Sequence, residues 1–285
     1  NNEVKIMKLS DIHIRDPFIL PYGGIYYMYG KKDPIKTAFC VYKSSDLINW
    51  SEPTFIFEKT PEFWGEYDYW APEVHEYKGK FYLFASFKSD NHHRATQIFV
   101  SDIPDGTFVP VSDDAATPSD WECLDGTLYI DKKGKPHIVF CHEWAQIGDG
   151  SVCEIELSDD LNTAVGEPKL LWHASDCSDS RDIGEGVSKV TDGPFLYRTK
   201  GGVLLCIWST FTDSGYSELI SRSDNGDIDG NWSIDSAPLS ASHGGHGMIF
   251  KTFDGDAMFV MHLPNDDPLE RAVLYRLIDD GDNIK

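Results

Sequence analysis

Helical periodicity is almost absent from this sequence: no long stretch places apolar residues at i, i+3, i+4 and i+7. A helix without such a stripe has no face to bury, so all-α and regular βαβ architectures are excluded. No run of 18 apolar residues occurs, which excludes a membrane-spanning helix. The start lacks a signal-peptide pattern, and the chain opens on Asn1 rather than Met, as expected of a mature or trimmed product. Six cysteines (Cys40, Cys123, Cys141, Cys153, Cys177, Cys206) show no CxxC spacing, so neither a zinc site nor a dense disulfide framework is expected. One bridge, Cys141 to Cys153, is the pairing considered. Positive charge is scarce: 25 Lys and Arg face 47 Asp and Glu, for a net charge of −22. That surface repels phosphate backbones and anionic headgroups, so nucleic acid and membranes are excluded as partners and a neutral ligand is admitted.

What the chain has is aromatic residues, 13% of 285, arranged in short runs with β-branched residues and broken by Gly, Asn, Asp and Pro. Such runs read as strands. They recur as a unit. An acidic or Pro-containing motif opens a short apolar strand, a Gly-containing turn follows, and a second aromatic strand returns. The copies are RDPFILPYGGIYYMYG (15–30), APEVHEYKGKFYLFASF (71–87), LDGTLYIDKKGKPHIVF (124–140), TDGPFLYRTKGGVLLCIWSTF (191–211) and GHGMIFKTFDGDAMFVMH (245–262). A third strand often follows, as in CVYKSSDLINW and SVCEIELSDDL. Five copies roughly 55–65 residues apart, each a meander that cannot bury both faces alone, predict blades packed radially. The expected fold is an all-β five-bladed β-propeller, one domain spanning 1–285, with a strand around Val4–Leu9 completing the last blade. Five matching openings disfavour the rival two-sheet sandwich.

In a propeller the first strand of each blade lines the central channel. The repeat therefore gathers Asp16, Glu73, Asp125, Asp192 and His246, or their near neighbours, at one end. Several carboxylates in one funnel cost electrostatic energy unless a function or a cation balances them. Each residue also has an ordinary explanation: Asp16 before Pro17 and Asp125 before Gly126 both suit turns.

Taken together, RDPFI, WAPEV, LDGTLYIDKKGKPHIVF, TDGPFLY and GGHGMIF resemble, in order, the five blade motifs of glycoside hydrolase family 43. The resemblance covers the whole chain and implies an inverting hydrolase. It carries the catalytic base to Asp16, the residue that tunes the acid's pKa to Asp125, the general acid to Asp192, and a place beside a channel metal ion, often calcium, to His246. No organic cofactor is implied. One departure stands out. The family carries Glu before GP where this chain has Asp192, shorter in reach by about 1.5 Å. Glu143 in CHEW is the rival acid.

Trp70, Phe87, Trp144, Trp208 and Phe211 are candidates to stack on a sugar, each alternatively a core residue. Glu73 belongs to the converging set, and Arg15, His75, His142 and Arg222 are candidates to bind hydroxyls. A second resemblance, of WEC (Trp121 to Cys123) to the acid motif of retaining β-fructosidases of family 32, would make Glu122 the acid. The expected activity is exo-acting α-L-arabinofuranosidase or β-D-xylosidase on plant cell-wall polysaccharide, from a monomer secreted or held in the periplasm. A catalytically silent glycan-binding propeller is the alternative of another class.

Overall fold

The computed structural model describes residues 6–285. Their strands form five antiparallel sheets, each a meander in chain order. Blade one holds β1 (Phe18–Tyr22), β2 (Ile25–Lys32), β3 (Ile35–Ser44) and β4 (Thr54–Glu58). Blade two holds β5 (Tyr67–Tyr77), β6 (Lys80–Ser89), β7 (His92–Ser101) and β8 (Val109–Pro110). Blade three holds β9 (Cys123–Ile130), β10 (Pro136–His142), β11 (Ser151–Leu157) and β12 (Ala164–His173), with a single helical turn, α1 (Trp144–Ile147), after β10. Blade four holds β13 (Asp192–Arg198), β14 (Leu204–Thr212), β15 (Gly215–Ser223) and β16 (Trp232–Ile234). Blade five holds β17 (Gly245–Lys251), β18 (Ala257–Leu263) and β19 (Arg271–Arg276). The inner strands β1, β5, β9, β13 and β17 touch one another in that order and close back on β1, giving a five-bladed propeller.

The repeat's turns explain the meanders. Between β1 and β2, Gly23 and Gly24 have φ of 58° and 82°. A two-residue hairpin whose twist matches its strands needs both in the left-handed region, which glycine enters without a Cβ clash. Between the sheets lies an apolar core. Phe87 is fully buried and meets Phe63, Phe57 and Phe39 at ring separations of 4.8, 6.1 and 5.7 Å. Trp208 is fully buried between blades three and four, 6.0 Å from Trp172, with its indole N–H donated to Ser221 at 2.8 Å. Removing either ring would cost about 3–5 kcal/mol of stability. Both were sugar-stacking candidates, and both belong to the core.

Two further expectations change. The stretch Val4–Leu9 falls partly outside the described residues. Within them, Met7 forms an isolated bridge with Trp50 of blade one, and Leu9–Asp11 coils into a 3-10 turn. That turn ends the extended course, and among the described residues blade five has three strands. The ring closes instead through Ile14 N–H to the Glu270 carbonyl (3.3 Å) and Arg271 Nε to the Ser10 carbonyl (2.9 Å). The bridge from Cys141 to Cys153 is absent, and all six cysteines are free. Cys141 lies opposite Val152, one residue from Cys153. An odd offset puts the two thiols on opposite faces of the sheet.

Candidate active site

Each inner strand opens with the same backbone device. Asp16, Ala71, Asp125, Gly193 and His246 have φ of 54°, 45°, 57°, 53° and 49°. In the later four blades a one-residue bulge encloses that position: Trp70 to Glu73, Leu124 to Thr127, Asp192 to Phe195 and Gly245 to Met248 each pass three residues against two on the partner strand. A side chain other than glycine pays about 1–2 kcal/mol for that conformation. Bulges re-aim side chains beside active sites, and strain of this kind persists where the surroundings over-determine it.

The bulge also corrects the alignment of the motifs. Asp16, Asp125 and His246 occupy the left-handed position itself, whereas Asp192 stands one residue before it, where the other blades have Arg15, Trp70, Leu124 and Gly245. Glu73 lies two residues past Ala71, buried and paired with His75 at 2.9 Å. It acts on the site only through its charge.

A cavity of about 370 Å³ sits over these openings. Arg15, Asp16, Trp70, Asp125, Glu143, Trp144, Asp192, Phe211 and His246 line it, all of them singled out in the sequence. The remaining candidates lie elsewhere. Arg222 is locked to Asp235 at 2.7 Å and to the Asp282 carbonyl at 3.1 Å, far along blade four. His142 stacks on Trp121 at 4.1 Å and meets Gln146 at 2.7 Å. His75 packs edge-on against Phe18 at 5.0 Å. Each was a candidate to bind hydroxyls, and each has its side chain engaged by neighbouring residues instead.

Sequence reasoning missed Lys31, which lines the cavity, and three residues that act on it from outer strands: His262, Tyr216 and Arg94. The repeat marks β18 as a second strand and Arg222 lies in β15, but no motif in the sequence singled out His262, Tyr216 or Arg94 themselves.

Asp16 Oδ1 lies 3.2 Å from His246 Nδ1, 3.3 Å from His262 Nδ1 and 3.7 Å from Arg15 Nε. Burial alone would raise this carboxyl's pKa. His246, His262 and Arg15 outweigh it and hold Asp16 well below the usual range. Arg15 is itself gripped by buried Glu270 at 3.2 Å, and Glu270 is gripped by His13 at 3.1 Å. Asp125 Oδ2 accepts the Gly193 N–H at 3.0 Å, and Asp192 Oδ2 accepts the Tyr216 hydroxyl at 2.9 Å. Burial pushes both carboxyls up, Asp125 further because the charges of Asp192 and Asp16 add to it. His246, Tyr216 and Arg15 restrain Asp192. Two buried like charges cannot both form at low cost, so the charge of either carboxyl opposes ionisation of the other.

Glu143 is also raised by burial, with Arg94 opposing. The Arg94 guanidinium binds Glu143, reaches Asp68 at 2.7 Å and lies 4.2 Å over the Trp70 ring. Glu122 sits outside the cavity. His93, the Arg94 N–H and Lys88 overcome its burial and hold it down to about 2. That is no acid for neutral pH.

Gly193 is confined by its surroundings. A Cβ there would fall 2.6 Å from His246 Cδ2. Gly193→Ala is expected to displace His246 and cut kcat by more than about ten-fold, alongside a lower Tm from the left-handed backbone. Steady-state kinetics with a melting curve checks both.

One carboxylate held ionised by histidines, in a cavity with two carboxyls that burial raises and with aromatic rings in its wall, is equipment for splitting a glycosidic bond. The molecule is a glycoside hydrolase. It belongs to the glycosyl hydrolases family 43, whose model matches residues 10–279, and it is an inverting enzyme. Over 96% of its length it is 25% identical to the extracellular exo-α-(1→5)-L-arabinofuranosidase ArbA of Cellvibrio japonicus, covering 86% of that protein. It is also 25% identical to the extracellular endo-α-(1→5)-L-arabinanase 1 of Bacillus subtilis, over 71% of this chain and 73% of that one. The solved endo-arabinase of Bacteroides thetaiotaomicron superposes with a TM-score of 0.91 at 40% identity, covering 97% of this chain and 99% of the other. Membership of family 43 sets aside the family 32 resemblance.

Proposed function

We propose that this enzyme hydrolyses α-1,5-linked arabinan by inversion, with Asp16 as general base, Asp192 as general acid and Asp125 as the neighbour that keeps the acid protonated. Asp16 turns Oδ1 to His246 and His262, which leaves its other oxygen to the cavity and a water. The ionised carboxylate takes a proton from that water as it attacks the anomeric carbon. The proton on Asp192, whose ionisation burial opposes, goes to the departing glycosidic oxygen. An inverting pair needs room for the water, about 6.5–9.5 Å between carboxyls. Trp70, Trp144 and Phe211 offer faces for the CH side of a pentose ring.

A calcium ion in the channel fits this chain poorly as a directly held cofactor. His246 has its Nδ1 turned to Asp16 at 3.2 Å and Asp125 at 3.7 Å, which leaves it Nε2 alone. Calcium takes six to eight oxygen ligands. An ion here would rest mainly on water, and no step depends on it.

The observation that carries the substrate reading is the extension of the catalytic cavity. A second hollow of about 560 Å³ shares Arg15, Lys31 and Trp70 with it. Adjacent hollows suit a chain running across the site, so we favour internal cleavage over the terminal attack expected from the sequence. The names of the relatives support arabinan over xylan, and their description as extracellular supports secretion. The check is a time course on linear α-1,5-arabinan. A ladder of oligosaccharides should precede free arabinose. Arabinose as the sole early product would make the enzyme exo-acting, and cleavage of xylan alone would overturn the substrate.

A further inference from the structure

A third hollow adjoins the second one. Tyr67 and Glu66 line both, and Trp64, Asp90 and His92 line the third. The shared residues set the three hollows side by side, from the catalytic cavity past Trp70 and Tyr67 to Trp64, on the rim of blade two.

The backbone of β5 is built to create that path. Tyr67 pairs with Lys88 and Trp70 with Ser86, so the strand carries an extra residue between them. Asp68, inside this bulge, has φ of 56° without being glycine. Arg94 holds it there, binding its carboxylate at 2.7 Å while lying over Trp70 at 4.2 Å. A sheet gains nothing from that strain. What it achieves is to turn Tyr67 and Trp70 toward the same groove, which a regular alternation over three residues would not do.

The groove's surfaces suit a sugar. Tyr67 is 39% exposed, yet its hydroxyl is fixed to Asp90 at 2.9 Å. Trp64 is stacked on His92 at 4.0 Å with 22° between the planes, and its indole N–H is spent on Gln97 at 3.0 Å. Aromatic faces held rigid in advance, edged by carboxylates that accept hydroxyl protons, bind pentose rings with little entropy left to lose.

We infer that the groove past Tyr67 to Trp64 and His92 is a distal subsite that grips an arabinan chain beyond the residues at the cleavage point. This rests on the arabinan reading above. The test compares kcat/KM on long linear arabinan with kcat/KM on α-1,5-arabinotriose, for wild type, Tyr67→Ala, Tyr67→Phe and His92→Ala. Losing one stacking ring should lower the long-to-short ratio about five-fold in Tyr67→Ala, through KM rather than kcat. Tyr67→Phe should recover most of it, since the ring remains. Melting curves show that the variants are folded. An unchanged ratio in both Tyr67→Ala and His92→Ala, with wild type active on arabinan, would overturn the subsite and leave the substrate standing. A wild type inactive on arabinan would overturn both.

Discussion

Asp16→Asn should be all but inactive, with kcat down by about 10²–10⁴-fold on every substrate whatever its leaving group. The substitution keeps the shape of the side chain but removes the only carboxylate in the cavity that its neighbours hold ionised. Leaving-group quality cannot compensate, because the missing event is activation of water on the opposite side of the ring. The same charge also stabilises the fold. Asp16 has its pKa depressed by His246, His262 and Arg15 after burial is overcome. Its contribution is therefore present above the carboxylate's unfolded pKa of about 3.9 and is lost only as pH falls through the lower folded value. Asp16→Asn should accordingly melt lower than wild type at neutral pH, and the gap should narrow in acid. Equal loss on aryl and natural arabinosides identifies the base. Retention of more than a tenth of wild-type kcat would remove Asp16 from that role.

Asp192→Asn should separate substrates. On arabinan, where the departing oxygen needs a proton, kcat should fall by about 10²–10⁴-fold. On an aryl arabinoside with a good leaving group the loss should be much smaller. The pH dependence follows from the same group. Burial raises Asp192, so it stays protonated above the ordinary carboxylate range, and activity should be lost as pH rises through that folded value. Glu143→Gln is the control. Burial raises Glu143 against Arg94, but its carboxylate oxygen is bound to that guanidinium rather than turned to a departing oxygen, so its variant should lack the split between aryl and natural substrates. A split that appears in Glu143→Gln and not in Asp192→Asn would transfer the acid to Glu143.

Asp192 shows where reading residues in order runs out. The motif TDGP aligns its Asp with the Asp of RDPF by eye. The backbone aligns Gly193 instead, since that residue carries the left-handed conformation of Asp16 and Asp125. The shift of one position places the shorter Asp192 side chain on the cavity wall beside Tyr216 rather than at the channel's centre. Arg94 shows the complementary gap. It sits in β7 among polar and small residues with no motif around it, yet it touches Trp70, Glu143 and Asp68.

By itself the sequence determined the strands, their hairpin turns, the five-fold repeat and the blade openings that supply Asp16, Asp125 and His246. All of these are local: a period of two, a glycine pair at positive φ, a motif recurring with each blade. Only the tertiary structure decided which aromatic faces remain open. Phe211 reaches the cavity while Phe87 is covered, although both lie near the end of the second strand of their blades. It also decided which charges meet, since Asp16 takes its partners from blade five and Asp192 feels charges from blades one, three and five. A strand's alternation says that a side chain faces outward from its own sheet. Whether the next blade covers that face, and with which charge, depends on residues distant in sequence, and no local pattern encodes it.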